Sequence, residues 1–153
     1  MLSAITVGMQ CLRWTQTYHA LNVVSTHRMI TMTEVVAFVI PHRLVRLNEY
    51  IRAERGNRYA AAKIKKDMTN LCGYYVPKVK IDKPIEVKMV WTVKNFANDP
   101  DNVSMGAKFI LDAMVNKGML PKDNLTMVKG LVHEFKRGKD EQVEVRVRRW
   151  EDA

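Results

Sequence analysis

The sequence has few of the residues that disulfide bridges and metal–thiolate sites require. Cysteine occurs only at Cys11 and Cys72, which form no C-x-x-C pair and have no histidine at metal-ligand spacing. The histidines show no H-x-x-x-H grouping. The sequence therefore argues against a disulfide framework and a zinc site, and it favours a reducing cytosol.

Several other functional classes also lack their sequence signals. No apolar run approaches the roughly 18 residues of a membrane span, and the longest, residues 35–40, has the length of a strand. No glycine-rich phosphate loop is present, and Ser104 lacks the G-x-S-x-G setting of a serine hydrolase. We therefore predict neither a membrane protein nor a serine hydrolase.

What the sequence has in excess is positive charge. Of its 153 residues, 25 are Lys or Arg and 16 are Asp or Glu, which gives a net charge of +9. The hydrophobic share of 47% is typical of one folded domain. A basic surplus on a small domain indicates a polyanionic partner, either nucleic acid or an acidic membrane face. A basic protein without such a partner would have the same composition.

The first part of the chain differs in composition from the rest. Residues 1–33 contain two arginines but no lysine and no acid. Such a segment, with its serines and threonines, is compatible with a transit peptide. The alternative is that translation starts at Met32, so that residues 1–31 are a gene-model extension or an unstructured tail. We favour the second interpretation and assign the domain to residues 32–153.

Hydrophobic patterning predicts both strands and helices. The pattern indicates strands over 34–40, 85–93, 125–135 and 141–149, helices over 57–73 and 103–117, and a loop over 41–55. The last two strands are predicted to form a β-hairpin with its turn at residues 137–140. This order implies a single α+β domain with a mixed sheet and two main helices.

The segment with the clearest chemistry follows the most regular predicted strand. It reads Asn98-Asp99-Pro100-Asp101-Asn102. If the chain stays extended there, Asp99 and Asp101 project to the same side, and the proline disfavours a helical residue before it. Two carboxylates on one side favour a hard divalent cation such as Mg²⁺. The same string can instead form a turn in which Asp101 or Asn102 caps a following helix.

Two further charged side chains are candidates for the same site. Asp123 follows helix 103–117, which carries the chain roughly 22 Å away, so it can rejoin the acid pair only if the loop folds back. Lys108 lies one turn into the helix, four residues before Asp112. Facing the acids, it can neutralise a phosphate in the transition state. Taken alone, Asp123 is a loop acid, and Lys108 with Asp112 is a solvated i,i+4 pair.

An acid pair, a helix lysine and a later acid follow one another in this chain. In that order they resemble the RusA-type Holliday junction resolvases, which are homodimeric, Mg²⁺-dependent, structure-specific endonucleases of phages and bacteria. The resemblance covers about residues 34–147. It is carried by Asp99–Asn102, Ala107–Ala113 and Lys117–Asp123, with further similarity in Leu47–Tyr50, Arg58-Tyr59 and Lys63–Lys66.

The resemblance implies an RusA-like fold, an activity and a set of residue roles. It assigns metal binding to Asp99, Asp101 and Asp123 and catalysis to these three acids together with Lys108. Asn102 matches the family's asparagine after the acid pair. One spacing departs from the family pattern: Lys108 comes about one helical turn later, and Met105 stands at the shorter spacing. We attribute the shift to an extension of three residues before the helix.

The implied activity is paired phosphodiester cleavage that resolves Holliday junctions in DNA recombination and repair. The implied cofactor is Mg²⁺, the partner is a four-way DNA junction, and the implied assembly is a homodimer in the cytoplasm of a bacterial or phage-infected cell. Membrane binding is not expected. Basic side chains are expected to bind DNA phosphates, which give affinity without reading the sequence. They are Arg58, Lys63, Lys65, Lys66, Arg146, Arg148 and Arg149, and Asn102 is grouped with them.

A second interpretation stays open from the sequence. The basic surface can bind branched or duplex DNA without cleaving it, with the acids in structural roles. The protein would then be a non-catalytic binding module rather than an endodeoxyribonuclease.

Overall fold

The computed structural model describes residues 34–151, so the predictions made for residues 1–31 lie outside the described residues. Its elements, in chain order, are β1 (Glu34–Ile40), α1 (Leu47–Gly56), α2 (Arg58–Tyr75), β2 (Ile85–Val93), α3 (Pro100–Ser104), α4 (Ala107–Asn116), β3 (Val128–Arg137) and β4 (Gln142–Arg149). They form an α+β domain, which confirms the predicted class.

A four-stranded mixed sheet carries the domain, with the strand order β1-β4-β2-β3. Strand β4 is antiparallel to both β1 and β2, whereas β3 is parallel to β2. The predicted hairpin between β3 and β4 is therefore wrong, because β2 lies between them. The reason is the burial of β2, whose last five residues are all buried, so that it takes a central place with a partner on each side.

One face of the sheet packs against the helices and forms the core. Val143, Val145 and Val147 of β4 alternate with charged residues and belong to the same buried cluster as Phe109 and Ile110 of α4. Burial of this apolar surface provides the main driving force for folding. Within residues 34–151, no helix has the length and apolar character needed to cross a membrane.

Helix α1 occupies most of the stretch predicted as a loop. Leu47, Tyr50 and Ile51 recur at helical spacing and are half-buried, and the Tyr50 ring lies 6.5 Å from the Phe109 ring of α4. The apolar stripe is narrow and interrupted by charged residues, which explains why the sequence pattern missed it. Residues 34–151 contain three helices of ten or more residues, whereas the sequence predicts two main helices.

The helix predicted over 103–117 is divided into α3 and α4. Gly106 lies between them, against the central strand: a Cβ atom there would lie 2.9 Å from the Trp91 ring and 3.0 Å from Leu44. The close approach needs a residue without a side chain. The helix predicted to end at Gly73 instead continues to Tyr75, and the missing side chain of Gly73 makes room for the Lys117 stem.

The Gly106 contact leads to a stability prediction. We expect Gly106→Ala to lower the free energy of unfolding by about 1–3 kcal/mol, because the added methyl group overpacks the Trp91 ring. Gly56→Ala is the matched control, since a Cβ atom there meets nothing within 4 Å. Denaturant unfolding of both variants measures the difference. Equal changes in the two variants would contradict the close packing at Gly106.

Candidate metal and nucleic-acid site

The first acid pair lies at the N-terminus of α3. Asp99 is extended (φ −73°, ψ 142°), and Pro100 begins the helix, where a missing amide proton costs nothing. Asp101 is therefore helical, and the predicted extended arrangement of the two acids is wrong, as is a helix start at Val103. Both carboxylates are exposed, and Asp101 Oδ1 accepts a hydrogen bond from the Asn102 backbone N–H at 2.9 Å.

Contacts from the start of α1 and the loop before it hold the acid pair on both sides. Arg46 Nη1 donates to Asn98 Oδ1 at 2.6 Å, one residue before Asp99. On the other side, Asn102 Oδ1 accepts the backbone N–H of Asn48 at 2.9 Å. Asn102 thus joins α3 to α1, and the acids between these two contacts have a defined position.

A second charged cluster surrounds Lys108 on α4. Its Nζ donates to Asp112 Oδ1 at 2.8 Å and lies 3.9 Å from Asp123 Oδ2. Lys65 of α2 reaches the other oxygen of Asp112, with Nζ at 3.6 Å from Oδ2. The loop after α4 therefore does fold back, and it brings Asp123 to Lys108.

The end of α4 explains this return. Gly118 has a positive φ of 78°, which glycine adopts without strain. Gly118 N–H donates to Val115 O at 3.0 Å and Met119 N–H to Met114 O at 2.9 Å, the two hydrogen bonds of a Schellman motif. Met119 and Leu120 are then buried in the core, which directs the following loop back along the helix.

The three acids assigned to metal binding do not form one cluster. Within residues 34–151, no group of three or more His, Cys, Asp or Glu side chains could hold a metal ion. Asp99 and Asp101 lie at α3, whereas Asp123 lies beside Lys108. Mg²⁺ usually takes one or two carboxylates and completes its shell with water and substrate phosphates. The exposed, oxygen-only pair at α3 fits Mg²⁺ held in that way, without a closed protein cage.

Neighbouring acids favour the protonated form of Lys108. The hydrogen bond with Asp112 raises the pKa of Lys108, burial opposes this shift, and the charges of Asp112 and Asp123 add to it. A raised pKa stabilises the fold at pH values below the unfolded pKa, and this contribution is lost as the pH rises through the folded pKa. Because the side chain is 54% exposed, the stabilisation is small and the charge is accessible to a ligand.

A cleft of about 460 Å³ opens beside this cluster, between α2 and α4. Lys65 and Lys66 line one side of it, and Asp112 and Asp123 lie at the other. Of the other predicted phosphate ligands on α2, Lys63 is exposed, and Arg58 is stacked over the Tyr59 ring at 5.2 Å. The basic surface of α2 thus borders the second cluster.

The arginines of β4 lie elsewhere. Because Val145 and Val147 face the core, Arg146 and Arg148 project from the opposite face of the sheet. Arg146 Nε donates to Glu144 Oε1 at 2.7 Å, and Arg148 pairs with Glu86. The structure therefore does not bring Arg146 and Arg148 to the same surface as the basic residues of α2.

Sequence reasoning missed the ion pair that supports the acid pair. Arg46 Nη2 donates to Glu141 Oε1 at 2.7 Å, across 95 residues of chain. No local pattern connects two such positions. A single Arg in a predicted loop and a single Glu at the start of a predicted strand carry no signal until the strand order is known.

A comparison with protein-family models finds no match, and a comparison with curated proteins finds none either. The similarity to RusA-type resolvases therefore rests on the residues themselves, and membership of that family stays a hypothesis.

The contacts of Lys108 lead to a prediction about its titration. We expect Asp112→Asn to lower the pKa of Lys108 more than Asp123→Asn does. The first variant removes a hydrogen-bonded carboxylate, whereas the second removes an attraction across 3.9 Å. An NMR titration of the lysine side-chain carbons measures both shifts. A larger shift in the Asp123 variant would mean that Asp123 is the main partner of Lys108.

Proposed function

We propose that this chain is a Mg²⁺-dependent, structure-specific endonuclease that cuts four-way DNA junctions by paired phosphodiester hydrolysis in the cytoplasm of a bacterial or phage-infected cell. One observation carries the proposal: Asp123 returns to within 3.9 Å of Lys108 and lines a cleft that also contains two lysines of α2. The return brings the later acid of the ordered set to the helix lysine, whereas the resemblance also requires that acid to reach the acid pair. The activity would serve DNA recombination and repair.

In this proposal, the acid pair of α3 holds the metal ion. Asp99 and Asp101 offer exposed carboxylate oxygens at one helix start. Bound Mg²⁺ would supply Lewis-acid stabilisation of the charge on the phosphate and on the leaving oxygen. The Asp123 carboxylate lies beside Lys108, so it would have to leave this lysine before it could bind the metal ion.

The lysines would act on the phosphates of the substrate. Lys108 is held at Nζ by Asp112, stays protonated and remains half-exposed, so it can offset the negative charge of the transition state. Lys65 and Lys66 would bind flanking backbone phosphates, which position the strand without reading its sequence.

Paired cleavage also implies an assembly. A four-way junction has two-fold symmetry, and two symmetric cuts call for two active sites related by the same axis. We therefore propose a homodimer in which each chain provides one site.

One observation favours the alternative of a non-catalytic module that binds branched DNA. Across the part of the chain that the structure describes, no three-acid metal group is present. In a binding module, Asp99 and Asp101 would only begin α3, and Asp123 would only pair with Lys108.

Cleavage in Mg²⁺ separates the two functions. We expect the wild type to make paired cuts in a synthetic four-way junction, and Asp101→Asn to lower the rate by about 100-fold or more, because a metal ligand contributes at least as much as its supporting residues. Junction binding in chelator should be retained. Asp82→Asn, an exposed acid in the loop before β2, is the control and should cleave normally.

A wild-type protein that binds the junction equally well in chelator and in Mg²⁺, and cuts it in neither, would be a binding module. Cutting of linear duplex at the same rate would indicate a general nuclease instead.

The cleft leads to a separate prediction for affinity. Log–log plots of junction affinity against salt concentration, measured in chelator, should become shallower by about one unit in Lys66→Met, because one phosphate contact is lost. Lys83→Met changes the net charge equally at an exposed position before β2 and should keep the wild-type slope. Equal slopes in both variants would show that the cleft does not contact the DNA.

A further inference from the structure

Arg46 occupies a half-enclosed position between the sheet and the acid pair. Its side chain is 13% exposed, and that of its partner Glu141 is 14% exposed. One guanidinium nitrogen donates to Asn98 Oδ1 at 2.6 Å and the other to Glu141 Oε1 at 2.7 Å. A guanidinium engaged on both sides is suited to hold two segments together rather than to receive a DNA phosphate.

Glu141 provides a rigid anchor for this contact. It lies directly before β4, next to the point where Gln142 pairs with Thr92 of β2. Its carboxylate also accepts the Lys94 backbone N–H at 3.4 Å and lies 3.3 Å from Arg43 Nε. The position of Arg46 is therefore set by the paired ends of β2 and β4.

Asn98 connects Arg46 to the acid pair. Its amide nitrogen donates to Asn95 O at 2.8 Å, which closes the loop after β2 and directs the side-chain oxygen to Arg46. The next residue is Asp99, which is followed by the first turn of α3. The contact therefore controls the backbone from which both carboxylates project.

We propose that Arg46 is a positioning residue for the acid pair: by fixing Asn98 against Glu141, it sets the orientation in which Asp99 and Asp101 bind a divalent cation. This inference rests on the proposed function, in which the acid pair holds Mg²⁺. Residues that orient metal ligands typically change metal affinity by 10- to 100-fold when they are removed.

A titration of the full chain with Mg²⁺ alone tests the proposal. The readout is the NMR shift of the backbone amides of Asp99, Asp101 and Asn102, which does not depend on cleavage. We expect Arg46→Met to raise the Mg²⁺ concentration at half-saturation by about tenfold. Arg43→Met is the matched control: Arg43 also pairs with Glu141, but its other partner is Glu49. It should keep the wild-type midpoint.

A second variant removes the other end of the contact. Asn98→Ala should weaken Mg²⁺ binding to the same extent as Arg46→Met, and the double variant should be no weaker than either single one, because both lose one shared interaction. Amides of the core strands should keep their wild-type shifts in every variant. This result separates positioning of the acids from general support of the fold.

Several outcomes would overturn the proposal. An unchanged midpoint in Arg46→Met, an equal change in Arg43→Met, or additive effects in the double variant would each do so. The absence of any Mg²⁺ response at the three amides of the wild type would also overturn it.

Junction cleavage tests the nuclease proposal separately from the positioning role of Arg46. Weaker Mg²⁺ binding by Arg46→Met together with an uncut junction would support the positioning role and refute the nuclease. If the wild type cuts the junction but Arg46→Met binds Mg²⁺ as well as the wild type does, the nuclease proposal would be supported and the positioning role refuted.

Discussion

Burial of β2 between two neighbouring strands is the constraint on which the other features depend. Val87 and Met89 are fully buried, and Trp91 is nearly so. Because β2 pairs with β3 up to Val93 and with β4 up to Thr92, its end has a fixed position in the domain. The loop that leads to the acid pair begins at that end, so the geometry of the candidate site derives from the packing of the sheet.

Electrostatics in the site follow from how the charges are distributed over the helices. The acid pair at α3 is exposed to solvent, whereas Asp112 is shared by Lys65 and Lys108. Negative charge thus stays accessible at one place, and positive charge is held in position at the other. Under the proposed function, DNA with bound Mg²⁺ would match this division, because the acids would meet the cation and the lysine would meet a phosphate.

Local patterns predicted the elements in which apolar residues recur at a regular spacing. The alternation over 85–93 predicted β2 with its observed bounds, and the apolar spacing predicted α2 to within two residues at its C-terminal end. The prediction was wrong where local preference and long-range packing differ. The predicted second helix is interrupted beside Gly106, which packs against the Trp91 ring, and α1 forms on a stripe too narrow to stand out.

The sequence alone determined the chain length, the surplus of positive charge and the order of the acids and the lysine, because none of these depends on the folded structure. The strand order, the return of Asp123 to Lys108 and the support of Asn98 by Arg46 were decided by tertiary structure. The physical reason is that pairing of distant segments depends on which buried surfaces meet in space. Periodicity reports which side of a segment is buried, but not which partner covers it.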